Sequence, residues 1–147
     1  MYVRELNVRY RMRRMAGPPL PADALTSPRI AASLLTRLLG HEIVEVCGLL
    51  CLTTDLRLIA YHELARGTLD HAILHARDVY RTALLAHAAS VVIGHNHPSG
   101  NPAPSPDDVA LATRLSAAGA LVGIPLADHV IVTTGGPYFS FKESGQL

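Results

Sequence analysis

Two imidazoles stand two residues apart, at His95 and His97, in the string HNHPSGNPAPSPDD that runs from His95 to Asp108. At the end of a strand, residues i and i+2 point to the same side, so both rings can address one ligand. Asp108 falls in the first turn of a predicted helix, and the loop between can fold that helix start back over the strand end. Two neutral imidazoles and one carboxylate form a donor set that suits zinc. Three protein ligands leave a fourth position for water, as in catalytic rather than structural zinc sites. A water on zinc has a pKa near about 7, so it serves as a nucleophile at neutral pH. A plainer account fits the same residues. Ser105 suits a helix N-cap and Pro106 the first helical position, while Asp108 suits a capping box or simply the positive helix end. Spacing alone leaves both accounts standing. Pro98, Pro102, Pro104 and Pro106 favour a held site, because they stiffen a loop with no packing reason to be rigid. The contiguous His-Asn-His is not the nuclease motif of that name, whose residues are spread over a hairpin and a helix.

These residues need elements to hold them. Ser90–Gly94 reads as a short buried strand running straight into His95, and a helix is predicted from Pro106 to about Ala118, ending at Gly119. Upstream, Val44–Leu52 is nearly all apolar, which suits a strand covered on both faces. Thr53, Thr54 and Asp55 turn the chain, and Leu56–Ala65 reads as the partner strand of a hairpin. A helix is predicted from Ser27 (N-cap) and Pro28 to Gly40, with Ile30, Leu34 and Leu38 as its buried stripe. Another is predicted over residues 75–88, with Ala76, Val79, Ala83 and Ala86 inward. Leu121–Ile124, His129–Thr133 and Tyr138–Lys142 read as further strands around a turn at Gly135-Gly136-Pro137. The fold class is α/β, a single mixed sheet flanked by three helices. Ahead of it, Tyr2, Leu6, Val8, Tyr10 and Met12 roughly alternate with charged residues. This predicts an Arg-rich edge strand followed by a Pro-rich linker, together residues 1–26, with the main domain over 27–147.

The chain has 147 residues, 49% hydrophobic and 17% charged, which suits one globular domain and excludes a disordered or collagen-like chain. The formal net charge of +1 gives no general polyanion-binding character. The N-terminal stretch to Arg14 carries five arginines against Glu5, so it is a candidate phosphate-binding strip or a solvated edge. Its strand pattern also offers a surface on which two copies could pair as a homodimer. Cys47 and Cys51 cannot form a disulfide framework and read as buried apolar side chains. With no membrane-length apolar run and no secretory signal, the expected setting is cytoplasmic. Of the other histidines, His62, His71, His75 and His87 read as surface or satisfied residues, with His71 or His75 able to line a cleft.

The pattern HxH, seven residues, Ser, two residues, Asp is the JAMM signature, so the chain resembles the JAB/MPN metalloprotease superfamily at His95, His97, Ser105 and Asp108. The RadC branch is the most similar: RGTL at 66–69, AASVVIGHNHPSG at 88–100, LVGIPLADHVIV at 121–132 and FSFKESGQL at 139–147 all resemble it. The resemblance covers about residues 27–147. It implies a JAB/MPN fold, a cytidine-deaminase-like sandwich, although no PCxxC follows the histidines and deaminase chemistry is not expected. It implies one zinc on His95, His97 and Asp108, an upstream glutamate as general base, and the motif serine, Ser105, as donor to the oxyanion. The glutamate candidate is Glu45 in HEIVEVCGLL, where a carboxylate inside an apolar run needs a reason; Glu42 is the rival. The reaction implied is hydrolysis of a peptide or isopeptide bond by a zinc metallopeptidase. Asp128-His129 matches the family's DH pair, either as support for a metal-bound imidazole or as a buried hydrogen-bonded pair. Asn96 and Ser99 either contact substrate or shape the loop. The alternatives are a DNA-associated protein that binds or acts on nucleic acid, and a non-catalytic interaction module. Longer RadC-like proteins carry a helix-hairpin-helix region not read in this sequence, which disfavours the first. The intact motif disfavours the second.

Overall fold

Val46–Leu52 and Ser90–Asn96 are buried at every residue, and such runs satisfy their backbone only by pairing on both sides. They become β1 and β3, the centre of a five-stranded sheet. The computed structural model describes residues 1–17, 24–67 and 74–147. In chain order the elements are α1 (Pro28–Leu39), β1 (Val46–Leu52), β2 (Leu58–Arg66), α2 (Ala76–Leu85), β3 (Ser90–Asn96), α3 (Pro106–Val122), β4 (Leu126–Val132) and β5 (Tyr138–Ser140). The sheet order is β2-β1-β3-β4-β5. β1 runs antiparallel to β2 and to β3, β3 is parallel to β4, and β4 is antiparallel to β5. The parallel pair is the one that needs a crossover, and α3 supplies it.

The two-residue period divides each central strand between two cores. Val46, Leu50, Val92, Val130 and Val132 pack with Leu34, Leu35 and Leu39 of α1. Cys47, Leu49, Cys51, Val91 and Ile93 pack with α2 and α3. His95 continues the second series and therefore faces α3. Gly94 permits close approach on the first face, since a Cβ there would lie 2.5 Å from Leu35 Cδ1.

Several predicted boundaries are corrected. α3 does not stop at Gly119 but continues to Val122, so Leu121–Ile124 is not a strand. Gly119 is a packing residue: a Cβ there would meet Tyr80 Oη at 2.4 Å and the Ile124 carbonyl at 2.6 Å. The helix is ended by Gly123, at φ +80°, in the left-handed region that glycine enters at low cost. The buried face of α1 centres on Ala31, Leu34, Leu35 and Leu39, with Ile30 and Leu38 at its margin. Residues 2–13 form no strand, and their side chains are exposed. An alternating pattern selects a face only once a neighbouring strand supplies hydrogen bonds, and among the described residues none pairs there. The segment reaches the body at Met15, against the α1 core, and at the Ala16 carbonyl, which accepts from Arg37 at 2.8 Å. The prolines 18, 19 and 21 and the loop residue His71 lie outside the described residues. No helix among those described is long and apolar enough to cross a membrane.

Candidate metal centre

The topology brings three chain segments to one corner of the sheet. β3 ends at Asn96, and the chain turns through Gly100 at φ +83°. It re-enters the fold as α3, whose N-terminus sits over the end of β3. β1 runs against β3 in a register that sets Cys47 opposite His95. Glu45, just ahead of β1, therefore arrives beside the end of β3.

Glu45, His95, His97 and Asp108 converge there, each offering one ligand atom, with all four atoms within 4.8 Å of one another. His95 Nε2 is 3.0 Å from His97 Nε2 and 3.2 Å from Asp108 Oδ1, and His97 Nε2 is 3.5 Å from Asp108 Oδ2. A tetrahedral zinc with bonds of about 2.0–2.1 Å holds its ligand atoms about 3.3–3.4 Å apart. The two separations that share His95 Nε2, to His97 Nε2 and to Asp108 Oδ1, lie close to that value, so the donor set fits zinc in size as well as in chemistry. Glu45 Oε1 stands a little farther off, 3.6 Å from His95 Nε2, and its side chain is 26% exposed where that of Asp108 is fully buried.

Each member is held from behind. His97 Nδ1 lies 2.8 Å from the Asn101 carbonyl oxygen. A carbonyl only accepts, so Nδ1 carries the proton and Nε2 presents its lone pair. Asn101 is itself fixed by the turn: its N–H donates to Ser99 Oγ at 3.3 Å, and its Oδ1 accepts from the Ala103 N–H at 3.0 Å. Burial holds the His95 pKa below the ordinary histidine value, against the pull of Asp108, which keeps the ring neutral, as a metal ligand must be. His95 Nδ1 lies 3.0 Å from His129 Nε2.

Asp108 and Ser105 form a full capping box. Asp108 N–H donates to Ser105 Oγ at 3.1 Å, and Ser105 N–H donates to Asp108 Oδ2 at 2.8 Å. The helix-cap account of these residues is therefore correct, and it does not compete with the cluster, because the same box aims Oδ1 at His95.

Asn96 was the least legible member in sequence. It is 1% exposed. Its Oδ1 accepts from the Val46 N–H at 2.7 Å, and its Nδ2 donates to the Glu42 and Val44 carbonyls at 3.2 and 2.9 Å. It thus clamps the segment that carries Glu45. Neither reading from sequence, substrate contact or shaping of the loop after β3, describes these bonds, which all go to the segment ahead of β1 and its first residue. The rival Glu42 is turned away into an ion pair with Arg66, at 2.7 Å, which Glu63 shares. The Arg66 guanidinium holds both carboxyls below their usual range.

The Asp128-His129 pair splits. His129 reaches His95, whereas Asp128 accepts from Ser140 Oγ at 2.6 Å and from the Lys142 N–H at 3.0 Å, fixing the C-terminal strand. Cys47 and Cys51 are buried and free, as read from sequence. Burial raises both thiols, Cys51 to about 11, and the Glu45 and Asp108 carboxylates push Cys47 further. His62, His75 and His87 are exposed and outside the cluster.

Comparison with known proteins gives a consistent picture. The sequence model of the RadC-like JAB domain matches residues 25–146. A UPF0758 protein of Thermotoga maritima is 49% identical over 109 residues, covering 74% of this chain and 47% of its own length. One from Xanthomonas axonopodis pv. citri is 44% identical over 125 residues, covering 85% of this chain and 55% of the relative. One from Symbiobacterium thermophilum is 36% identical over 134 residues, covering 91% and 57%. The chain spans about half the length of these curated relatives.

Proposed function

The chain belongs to the RadC-like JAB domain family, and from that premise we propose that it is a zinc-dependent metallohydrolase, a metallopeptidase or isopeptidase that cleaves an amide bond. The observation that carries this reading is the convergence of two imidazoles and two carboxylates at the end of β3. His95, His97 and Asp108 would hold the metal. When bound, zinc supplies a Lewis acid and a water acidic enough to attack at neutral pH.

The remaining chemistry belongs to the chain. Glu45 is the most open of the four groups and the farthest from His95, the position a proton carrier needs. It takes the proton from the attacking water and returns it to the leaving amine, so the products are a carboxylate and an amine. Ser105 Oγ accepts the Asp108 N–H, which leaves its own hydroxyl proton to donate to the substrate carbonyl oxygen as negative charge develops there. The amide-bearing substrate is a peptide or an isopeptide-linked protein.

The test is zinc content by mass spectrometry, followed by turnover of peptide and isopeptide substrates. About one zinc per chain is expected, lost in His97→Ala and Asp108→Ala. Glu45→Gln should keep the zinc and lose about 10²–10⁴ in turnover. A wild-type chain that takes up no zinc, even when refolded with the metal, overturns the reading.

A further inference from the structure

Among the buried polar groups near the cluster, His129 has no part in the proposed reaction, yet it touches a member of the site directly. It lies on β4 opposite Ile93, in the register that pairs His95 with Ile131. His129 and His95 are therefore diagonal neighbours on one face of the sheet. Both are fully buried, and His129 Nε2 is 3.0 Å from His95 Nδ1. The far face of the His129 ring stacks on Phe141, with centroids 4.7 Å apart and planes 7° from parallel, and Phe139 meets Phe141 edge-on. Two rings of the C-terminal strand region thus fix the plane of one imidazole, whose nitrogen is aimed at another.

A contact between two ring nitrogens needs one donor and one acceptor. A metal on His95 Nε2 requires the lone pair there, which leaves the ring proton on Nδ1. We infer that His129 is a positioning residue for the metal centre, accepting the Nδ1 proton of His95 and so holding His95 in the tautomer and orientation that bind a cation. The inference rests on the zinc reading above. Metal-bound histidines commonly donate to a carboxylate, a backbone carbonyl or water. Here the acceptor is a neutral imidazole, while the neighbouring carboxylate, Asp128, is engaged with Ser140 and Lys142. Asp128 therefore adds no negative charge behind His95, and among the described residues the carboxylates of the cluster are Asp108 and Glu45.

The experiment is chelator competition for the zinc dissociation constant of the whole chain, beside the melting temperature of the metal-free protein. His129→Phe keeps a ring against Phe141 and removes the acceptor; it should weaken zinc binding about 10–100-fold in a chain that still folds, its metal-free melting lowered only by the loss of one buried hydrogen bond. His129→Gln offers an amide oxygen near the place of Nε2 and should restore most of the affinity. His129→Phe binding within about threefold of wild type, well short of the expected loss, overturns the inference. Long-range ¹H–¹⁵N spectra of zinc-loaded wild type decide it without any variant, should His129→Phe fail to fold. His129 protonated only at Nδ1 supports the assignment, and His129 protonated at Nε2 overturns it. Wild type without zinc overturns the function reading along with this one, whereas zinc bound equally with and without the His129 nitrogen overturns this one alone.

Discussion

Replacing Asn96 by alanine is the sharpest way to ask whether the Glu45 segment is held by one buried side chain. Asn96 makes three hydrogen bonds, to the Val46 N–H and to the Glu42 and Val44 carbonyls, at 2.7, 3.2 and 2.9 Å. Each bond contributes about 0.5–1.5 kcal/mol net, and a partner left buried without one costs about 1–3 kcal/mol. The carbonyls lie in an exposed stretch and can turn to water. The Val46 N–H, at a residue with no exposure, cannot. The expected loss is therefore about 2–6 kcal/mol, that of one orphaned group and two ordinary bonds. For a chain of this size that lowers the melting temperature by about 5–25 °C. The assay is urea unfolding of the metal-free chain, with zinc affinity and amide hydrolysis measured alongside. Hydrolysis should fall by more than the loss of folded protein explains, because the clamp sets where Glu45 stands. Asn96→Ala within about 1 kcal/mol of wild type, the size of a single bond, would refute the clamp.

Further perturbations test separate parts of the structure. Gly119→Ala should destabilise by about 1–3 kcal/mol through overpacking, despite alanine's better helix propensity, because its Cβ would press on the Ile124 carbonyl at 2.6 Å as well as on Tyr80; equal stability in denaturant would refute it. Arg66→Ala should cost little stability, since the ion pairs are half exposed and screened by salt. The Glu42 and Glu63 carboxyls are depressed when folded, so that small contribution is present above about pH 4.3, their unfolded value, and is lost as pH falls through the folded values. Its stability–pH curve should therefore be flatter than wild type on the acid side, and identical curves would refute the pairing. Neither Cys47 nor Cys51 should react with a thiol reagent at pH 8 in the native chain, since both are buried and Cys51 titrates only at about 11. Both should react in urea, and rapid labelling of folded protein would contradict the packing of β1.

The sequence was most legible where a local pattern coincides with a local cause. The apolar runs of β1 and β3 announce strands covered on both faces, and Ser27-Pro28 and Ser105-Pro106 announce helix starts, because caps and periodicity act within a few residues. Errors fall where a residue answers to something distant. Gly119 reads as a helix stop, yet its reason is Tyr80 and the Ile124 carbonyl, neither of which a local pattern can bring near. Residues 2–13 alternate like a strand, but alternation states only which face would be buried, and strand formation waits on a partner edge.

The site divides the same way, and the division explains why a cap and a ligand looked like rivals. His95, His97, Ser105 and Asp108 lie within one strand–loop–helix unit, so their spacing alone places them. Asn96 and His129 depend on the pairing of β3 with β1 and β4, and their bonds reach back 50 to 54 residues and across 34. At Asp108 the two accounts merge. A carboxylate has two oxygens, and in the first turn of α3 the capping box occupies Oδ2 at 2.8 Å and locks the rotamer. Oδ1 then points at His95 without needing a further residue to aim it. A helix start that looked like ordinary structure is thus the device that orients the carboxylate, so disrupting the cap should also disturb the donor set.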